Sequence, residues 1–294
     1  MDPDVLRNRL LGLAVQVGGR LRRLGLRTAS RVVARLTRWL VPPPTGPVTV
    51  RTITGAELEV DPRRNRGVDT AVYYTGAYEA GTVAFVRHLM AGAGVFYDIG
   101  ANIGVFTVEV ARSLGPSGQV IAFEPAPRAF AILLRNIELN RLGNVTAIAV
   151  GLADVAGPRQ LYLRPAMNLG AASFVAQPGT VPDAVVGLWR LDDLVARRRL
   201  PDPTVVKVDV EGFELRVLRG AVELIERARP VIVTEWSTYH VQDGGRLDEL
   251  QRLLADAGYL PFGFRHGKEH GGALRSLSDL SELLHDNVVW LPAR

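Results

Sequence analysis

With 294 residues, 47% of them hydrophobic, the chain is long enough for one large domain or two small ones and has ample apolar content for a packed core. It has no cysteine, which excludes disulfides, thiolate zinc sites and a cysteine nucleophile, and no apolar run of the roughly 18 residues that a membrane-spanning helix needs. The net charge of +5 is uneven. Residues 1–45 carry nine arginines and two acids, a local +7, while the other 26 basic and 28 acidic side chains leave −2, so the main domain has no broad basic face for nucleic acid.

Residues 5–40 place apolar side chains at helical spacing: Leu6, Leu10, Leu13, Val17, Leu21 and Leu24, then Val32, Val33, Leu36, Trp39 and Leu40. Arginines lie between them, and Gly18-Gly19 should split the run into two helices. Three readings stay open. The apolar face packs on the domain; or the basic amphipathic segment rests on an anionic membrane or an acidic partner; or it is an organelle transit peptide. A chain without cysteine or a spanning helix fits the cytoplasm, with this segment able to lie on the inner membrane face. Pro42-Pro43-Pro44-Thr45-Gly46-Pro47 is a stiff linker. It divides a helical segment, 1–45, from a hairpin and lead-in helix, 46–94, and a main domain, 95–294.

Val48–Ile53 and Glu57–Val60 read as a hairpin, and Thr82–Met90 as a helix. Before that helix stand Tyr78 and Glu79, which either line a ligand pocket or cover it. Strand and helix patterns then alternate. Val95–Tyr97 leads through Gly100 and Gly104 into the helix Val105–Leu114, and Val120–Phe123 into Arg128–Leu142, which Pro127 is placed to open. Val145–Val150 is a third strand. Residues 155–190 hold short β-like pieces and the run Asn168 to Ser173. Val205–Val210 precedes a helix over Phe213–Ala228, and Val231–Glu235 precedes one over Leu247–Ala257. Leu260–Phe264 and Val288–Leu291 close the chain. This alternation predicts an α/β fold with a mostly parallel sheet covered on both faces.

Ligands of such sheets bind at the carboxyl ends of the strands. Asp98, Glu124, Asp209 with Glu211, and Glu235 end strands there, and Asp154 follows the third. Helix capping explains one or two of them but hardly Glu124 and Glu235. Glu124, 26 positions after Asp98, is placed to accept ribose hydroxyls. The loop reads Asp98-x-Gly100-x-Asn102-x-Gly104, and Val105 stands where a dinucleotide fingerprint needs a glycine. The leading Asp suits a cationic, amino-acid-bearing ligand better than a pyrophosphate. S-adenosylmethionine is thus favoured over NAD.

Asp-Ile-Gly-Ala-Asn-Ile-Gly (98–104), Phe-Glu-Pro (123–125), Lys-Val-Asp-Val-Glu-Gly-Phe-Glu (207–214) and Pro-Val-Ile-Val-Thr-Glu (230–235) occur in that order. Together they resemble the FkbM family of S-adenosylmethionine-dependent methyltransferases over about residues 73–240. The resemblance implies a class I methyltransferase fold, a Rossmann-like seven-stranded sheet with one antiparallel strand, and O-methylation of a small molecule, sugar or glycan. On this reading the cofactor site comprises Asp98, Gly100, Asn102, Gly104 and Glu124, with Tyr78, Glu79 and Asp154 as further members, Asp154 near the adenine. Asn168, Ser173 and Glu235 would shape the acceptor pocket.

Methyl transfer to a hydroxyl needs in-line placement and a base. If its strand stays extended, Lys207, Asp209 and Glu211 share a face. Lys207 should pair with a carboxylate, leaving Asp209 or Glu211 toward the acceptor; the alternative is a structural ion pair with Glu211 capping the next helix. His240 is the second candidate base. No metal is demanded, and the string His266-Gly267-Lys268-Glu269-His270 is too glycine-rich in its surroundings for a zinc-binding helix. Two rivals remain: an NAD-dependent oxidoreductase, and a non-catalytic methyltransferase-like domain tethered by residues 1–45.

Overall fold

The computed structural model describes residues 3–24, 26–163, 172–174, 181–237, 247–280 and 283–293. They divide into two compact units, one built on residues up to Tyr78 and one on residues from Glu79.

The first unit holds α1 (Pro3–Arg23), α2 (Arg27–Leu40), the antiparallel hairpin β1 (Val48–Arg51) and β2 (Glu57–Val60), and α3 (Val68–Thr75). α1 runs unbroken through Gly18 and Gly19, against the expectation of a break there. Packing explains it. A Cβ on Gly19 would lie 3.0 Å from Ile53 Cγ2, and Gly18 accepts the Ser30 hydroxyl of α2 on its carbonyl at 3.2 Å. At Gly19 the missing side chain lets Ile53 approach, and these contacts outweigh the poor helix propensity of glycine. Inside the unit Asp69 is buried, accepting Asp61 N–H at 2.6 Å and Asn65 Nδ2 at 2.8 Å, and Tyr74 donates to the Val41 carbonyl at 3.0 Å.

The second unit begins with α4 (Ala80–Leu89), β3 (Val95–Ile99), α5 (Val105–Ala111), β4 (Gln119–Phe123), α6 (Pro127–Leu139) and β5 (Val145–Ile148). β6 (Gly151–Leu152), β7 (Gly157–Leu163), β8 (Ala172–Ser173) and β9 (Ala184–Trp189) then form a separate small sheet, ordered β6-β9-β7-β8. The chain continues through α7 (Leu191–Arg198), β10 (Val205–Val208), α8 (Glu214–Arg219), α9 (Val222–Ala228), β11 (Val231–Ser237), α10 (Leu247–Asp256), β12 (Tyr259–Phe264), β13 (Leu274–Ser276) and β14 (His285–Pro292).

The main sheet runs β5-β4-β3-β10-β11-β14-β12-β13. The first five strands are parallel, and β14 inserts antiparallel between β11 and β12. Seven of the strands follow the class I methyltransferase order. The eighth, β13, adds antiparallel to β12 at the edge, so the sheet has one strand and one antiparallel pairing more than expected.

Alternation sorts the two faces. Tyr97, Ile99, Ile121, Phe123, Val206, Val208 and Ile232 point to one side, where they pack with Leu191 and Leu194 of α7, Leu215 of α8, Leu224 of α9 and Leu250 of α10. The opposite face of β3 and β10 carries Asp98 and Lys207, which are register neighbours. The helix expected over Phe213–Ala228 is two helices. At their junction a Cβ on Gly220 would lie 2.1 Å from the Ala153 carbonyl, so the chain must bend closely past that segment.

Candidate active site

β3 ends at a turn whose backbone only certain residues tolerate. Gly100 has φ +81°, Asn102 +52° and Gly104 +89°. Asn enters the left-handed region more readily than other side-chain-bearing residues. A Cβ on Gly100 would sit 1.9 Å from the Asp209 carbonyl, so this turn and the end of β10 touch through bare backbone. Gly100 and Ala101 both donate to the Phe123 carbonyl at 3.0 Å. Glu124 then fixes the far side. Its Oε2 accepts Asn102 N–H and its Oε1 accepts Ala126 N–H, both at 2.8 Å. Burial pushes its carboxyl up to about 7 against the pull of those two donors.

Asp98 is 1% exposed. Its Oδ2 accepts the Thr107 hydroxyl of α5 at 2.6 Å, while Oδ1 is buried with no hydrogen-bond donor, as is Asn102 Oδ1. Burial raises the Asp98 pKa, and the Lys207 ammonium opposes the rise. Two buried acceptors without donors at one glycine turn are unusual, because such atoms are costly to leave unmatched.

Lys207 is buried in the neighbouring strand, its Nζ 4.5 Å from the centroid of the Phe106 ring and 2.7 Å from Asp209 Oδ2. Burial alone would lower its pKa. Asp209, Glu79 and Asp98 together outweigh that, and the ammonium is held above its ordinary range. The pairing expected for Lys207 is therefore present, but the alternating row is not. β10 ends at Val208, Asp209 N–H turns to the Ile99 carbonyl at 3.0 Å, and Glu211 is left-handed at φ +54°. Glu214, not Glu211, holds this turn, accepting Val210 N–H at 3.0 Å and Gly212 N–H at 3.3 Å.

Beside this pair lies a second cluster. Glu79, buried, faces Asn287 Nδ2 at 2.7 Å and Lys268 Nζ at 3.0 Å. Asn287 also donates to Thr82 Oγ1 at 3.0 Å. Glu235, the register partner of Asn287, lies 3.5 Å from both Lys268 Nζ and His285 Nδ1. Its pKa is raised well above the usual carboxylate range, chiefly by burial and then by Asp209, with Lys268 opposing. Lys268 itself stays above its ordinary range because Glu79, Glu235 and Asp209 outweigh burial. Its Nζ is 2.9 Å from His285 Nε2. An ammonium only donates, so Nε2 accepts and the ring proton belongs on Nδ1, toward Glu235.

The structure thus gathers Glu79, Asp98, Lys207, Asp209 and Glu235 with the Gly100–Gly104 turn and Glu124. Asp154 is engaged elsewhere, in an ion pair with Arg216 at 3.2 Å. Tyr78 is half-buried and closes the first unit. Asn168 and His240 lie outside the described residues, and only the backbone of Ser173 is described, paired with Tyr162 in the small sheet. The sequence reading missed Thr107, Lys268, His285 and Asn287. Lys268 lies in the glycine-rich string His266-Gly267-Lys268-Glu269-His270. A lone lysine in a glycine-rich loop before a closing strand was the available signal. No group of side chains suited to a metal occurs among the described residues.

The Methyltransferase FkbM domain model matches residues 98–261, more than half of the chain. The chain belongs to this FkbM methyltransferase family. The matched span opens on Asp98 and takes in Glu124, Lys207, Asp209 and Glu235, while Glu79, Lys268 and Asn287 lie outside it. Among curated relatives, Methyltransferase sdnD of Sordaria araneosa is 32% identical over 193 residues, covering 55% of this chain and 72% of that protein. Hexuronic acid methyltransferase AglP of Haloferax volcanii is 32% identical over 163 residues, 55% of this chain and 62% of its own length. The 31-O-demethyl-FK506 methyltransferase FkbM of Streptomyces tacrolimicus is 32% identical over 195 residues, 56% and 72%.

Proposed function

We propose that this FkbM-family protein is an S-adenosylmethionine-dependent O-methyltransferase whose acceptor is a hydroxyl of a small molecule or sugar. One observation carries the cofactor: the buried Asp98 Oδ1 and Asn102 Oδ1, acceptors without donors at the turn after β3. S-adenosylmethionine fits this donor demand, since it brings an ammonium and ribose hydroxyls and no phosphate. Asp98, Gly100, Asn102, Gly104 and Glu124 would hold it. Bound there, it supplies an electrophilic methyl group on a sulfonium.

The chain supplies the rest. Thr107 fixes the Asp98 carboxylate through Oδ2, leaving Oδ1 for the ligand. Glu124 keeps the turn shaped through Asn102 and Ala126. Asp209 takes the acceptor proton. It follows β10 next to Gly100, its side chain is 18% exposed, and Lys207 orients it from the buried side. Two relatives support the acceptor class by name, one a hexuronic acid methyltransferase and one a 31-O-demethyl-FK506 methyltransferase.

The test is label transfer from methyl-labelled S-adenosylmethionine to a panel of uronic acids, neutral sugars and polyketide alcohols, with the product linkage read by NMR. A methyl ether supports the reading. Label appearing only on nitrogen or carbon would overturn the O-methyl assignment.

A further inference from the structure

The N-terminal unit has a surface that carries none of the site residues named above. α2 faces the opposite way from an ordinary globular helix. Its Ser30 and Thr37 are buried, while Val32, Leu36, Trp39 and Leu40 are 51%, 53%, 81% and 64% exposed. Those four recur at i, i+4, i+7 and i+8, one stripe along the helix. The inward hydroxyls are satisfied close by, Ser30 on the Gly18 carbonyl at 3.2 Å and Thr37 on the Val33 carbonyl at 2.7 Å. Gly18 of α1 meets Ser30 and Val33 of α2, while the four large apolar side chains named above meet solvent.

Charge supplies the second observation. From Val5 to Ala56 the chain has ten arginines, no lysine and no acid. In α2 the arginines are residues 27, 31, 35 and 38, a stripe that borders the apolar one by helical register. The rim of an interface between proteins is polar; here every charged side chain of α2 is an arginine. Arginine beside exposed leucine and tryptophan is the pattern of a helix lying in a lipid interface. No helix among the described residues is long and apolar enough to cross a membrane, so the contact is in the plane.

We propose that α2 docks the protein on an anionic lipid surface, with Val32, Leu36, Trp39 and Leu40 entering the headgroup–acyl boundary and the arginine stripe meeting acidic headgroups. The ligand is the phosphate-bearing bilayer, not a single lipid species.

The experiment is flotation of the full chain with phosphatidylglycerol–phosphatidylcholine vesicles and with pure phosphatidylcholine vesicles. The protein should float with the anionic vesicles and be released by salt. Trp39→Ala and Leu36→Ala should each lower partitioning about tenfold or more, and Arg35→Glu about fivefold or more. S-adenosylhomocysteine affinity and far-UV circular dichroism should be unchanged in all three. Wild-type protein that stays down with the anionic vesicles would overturn the proposal. So would undiminished flotation of the Trp39→Ala/Leu36→Ala double variant. Self-association in sedimentation that the same double variant abolishes, without vesicle binding, would reassign the stripe to a second copy. Binding to polyglutamate but not to vesicles would reassign it to an acidic protein.

Discussion

At the scale of single residues, Glu124 is the most informative group. Its two oxygens each accept a backbone N–H, and burial puts its pKa at about 7, as it does for Glu214. A carboxyl whose pKa is higher folded than unfolded binds more protons in the folded state. The stability it contributes is therefore complete below about 4.5 and is lost as pH rises through about 7. Urea denaturation should show lower stability at pH 7.5 than at pH 5 by on the order of 1 kcal/mol from this group. Glu124→Gln should reduce that slope by its own share, leaving that of Glu214, and should cost about 1–3 kcal/mol overall, because an amide nitrogen then faces a backbone donor. Asp209 makes a different prediction. If it takes the acceptor proton, Asp209→Asn should lower kcat about 10²–10⁴-fold and leave S-adenosylhomocysteine affinity unchanged. Loss of binding with kcat intact would make it a cofactor ligand instead. Asp98 and Glu235 were legible in the sequence because an acid ending an apolar run is conspicuous, and Lys207 because a lone charge inside such a run needs a partner. Lys268, His285 and Asn287 were not, because what places them is pairing between β11 and β14 and a loop fold, and neither leaves a local pattern.

Among elements, the loop after β12 that carries Lys268 depends on two glycines. A Cβ on Gly81 would lie 2.0 Å from Gly271 N, and Thr82 N–H donates to the Lys268 carbonyl at 3.0 Å. Asp286 Oδ1 takes the Lys268 N–H at 2.8 Å. The start of α4, this loop and the start of β14 are thus closed on one another. Gly81→Ala has no soft side chain to push aside, since the clash is with backbone. It should destabilise the protein by about 1–3 kcal/mol in thermal or urea melts, where a surface Gly→Ala would be neutral. An unchanged melt would show that the approach of these two glycines is not needed. Most strands of the main sheet were readable from apolar runs. The errors came at glycines: α1 passes through Gly18-Gly19, and the helix expected after β10 breaks at Gly220. In both places a backbone or side chain from elsewhere in the fold decides, and propensity alone does not report it. β13 was missed because three residues at a sheet edge carry no alternation to detect.

For the whole molecule, the family match covers the segment from Asp98 to β12, and the sheet order of the second unit carries the class I arrangement. The small sheet β6-β9-β7-β8 is an addition within that span, packing Phe174 and Leu188 against Ala126, Ala129 and Phe213. The sequence suggested only disconnected β-like pieces there, because their pairing is long-range. The first unit carries the excess positive charge and the outward apolar stripe of α2, on which the proposed lipid contact rests. Under the proposed reading, the cofactor depends on one buried carboxylate with an acceptor to spare. Calorimetric titration of S-adenosylhomocysteine into the wild-type protein and into Asp98→Asn tests this most directly. The wild type should bind stoichiometrically and the variant with at least about a tenfold weaker Kd, for the loss of one charge-assisted hydrogen bond. Equal affinity in the two proteins, or no heat at millimolar ligand with the wild type, would contradict it.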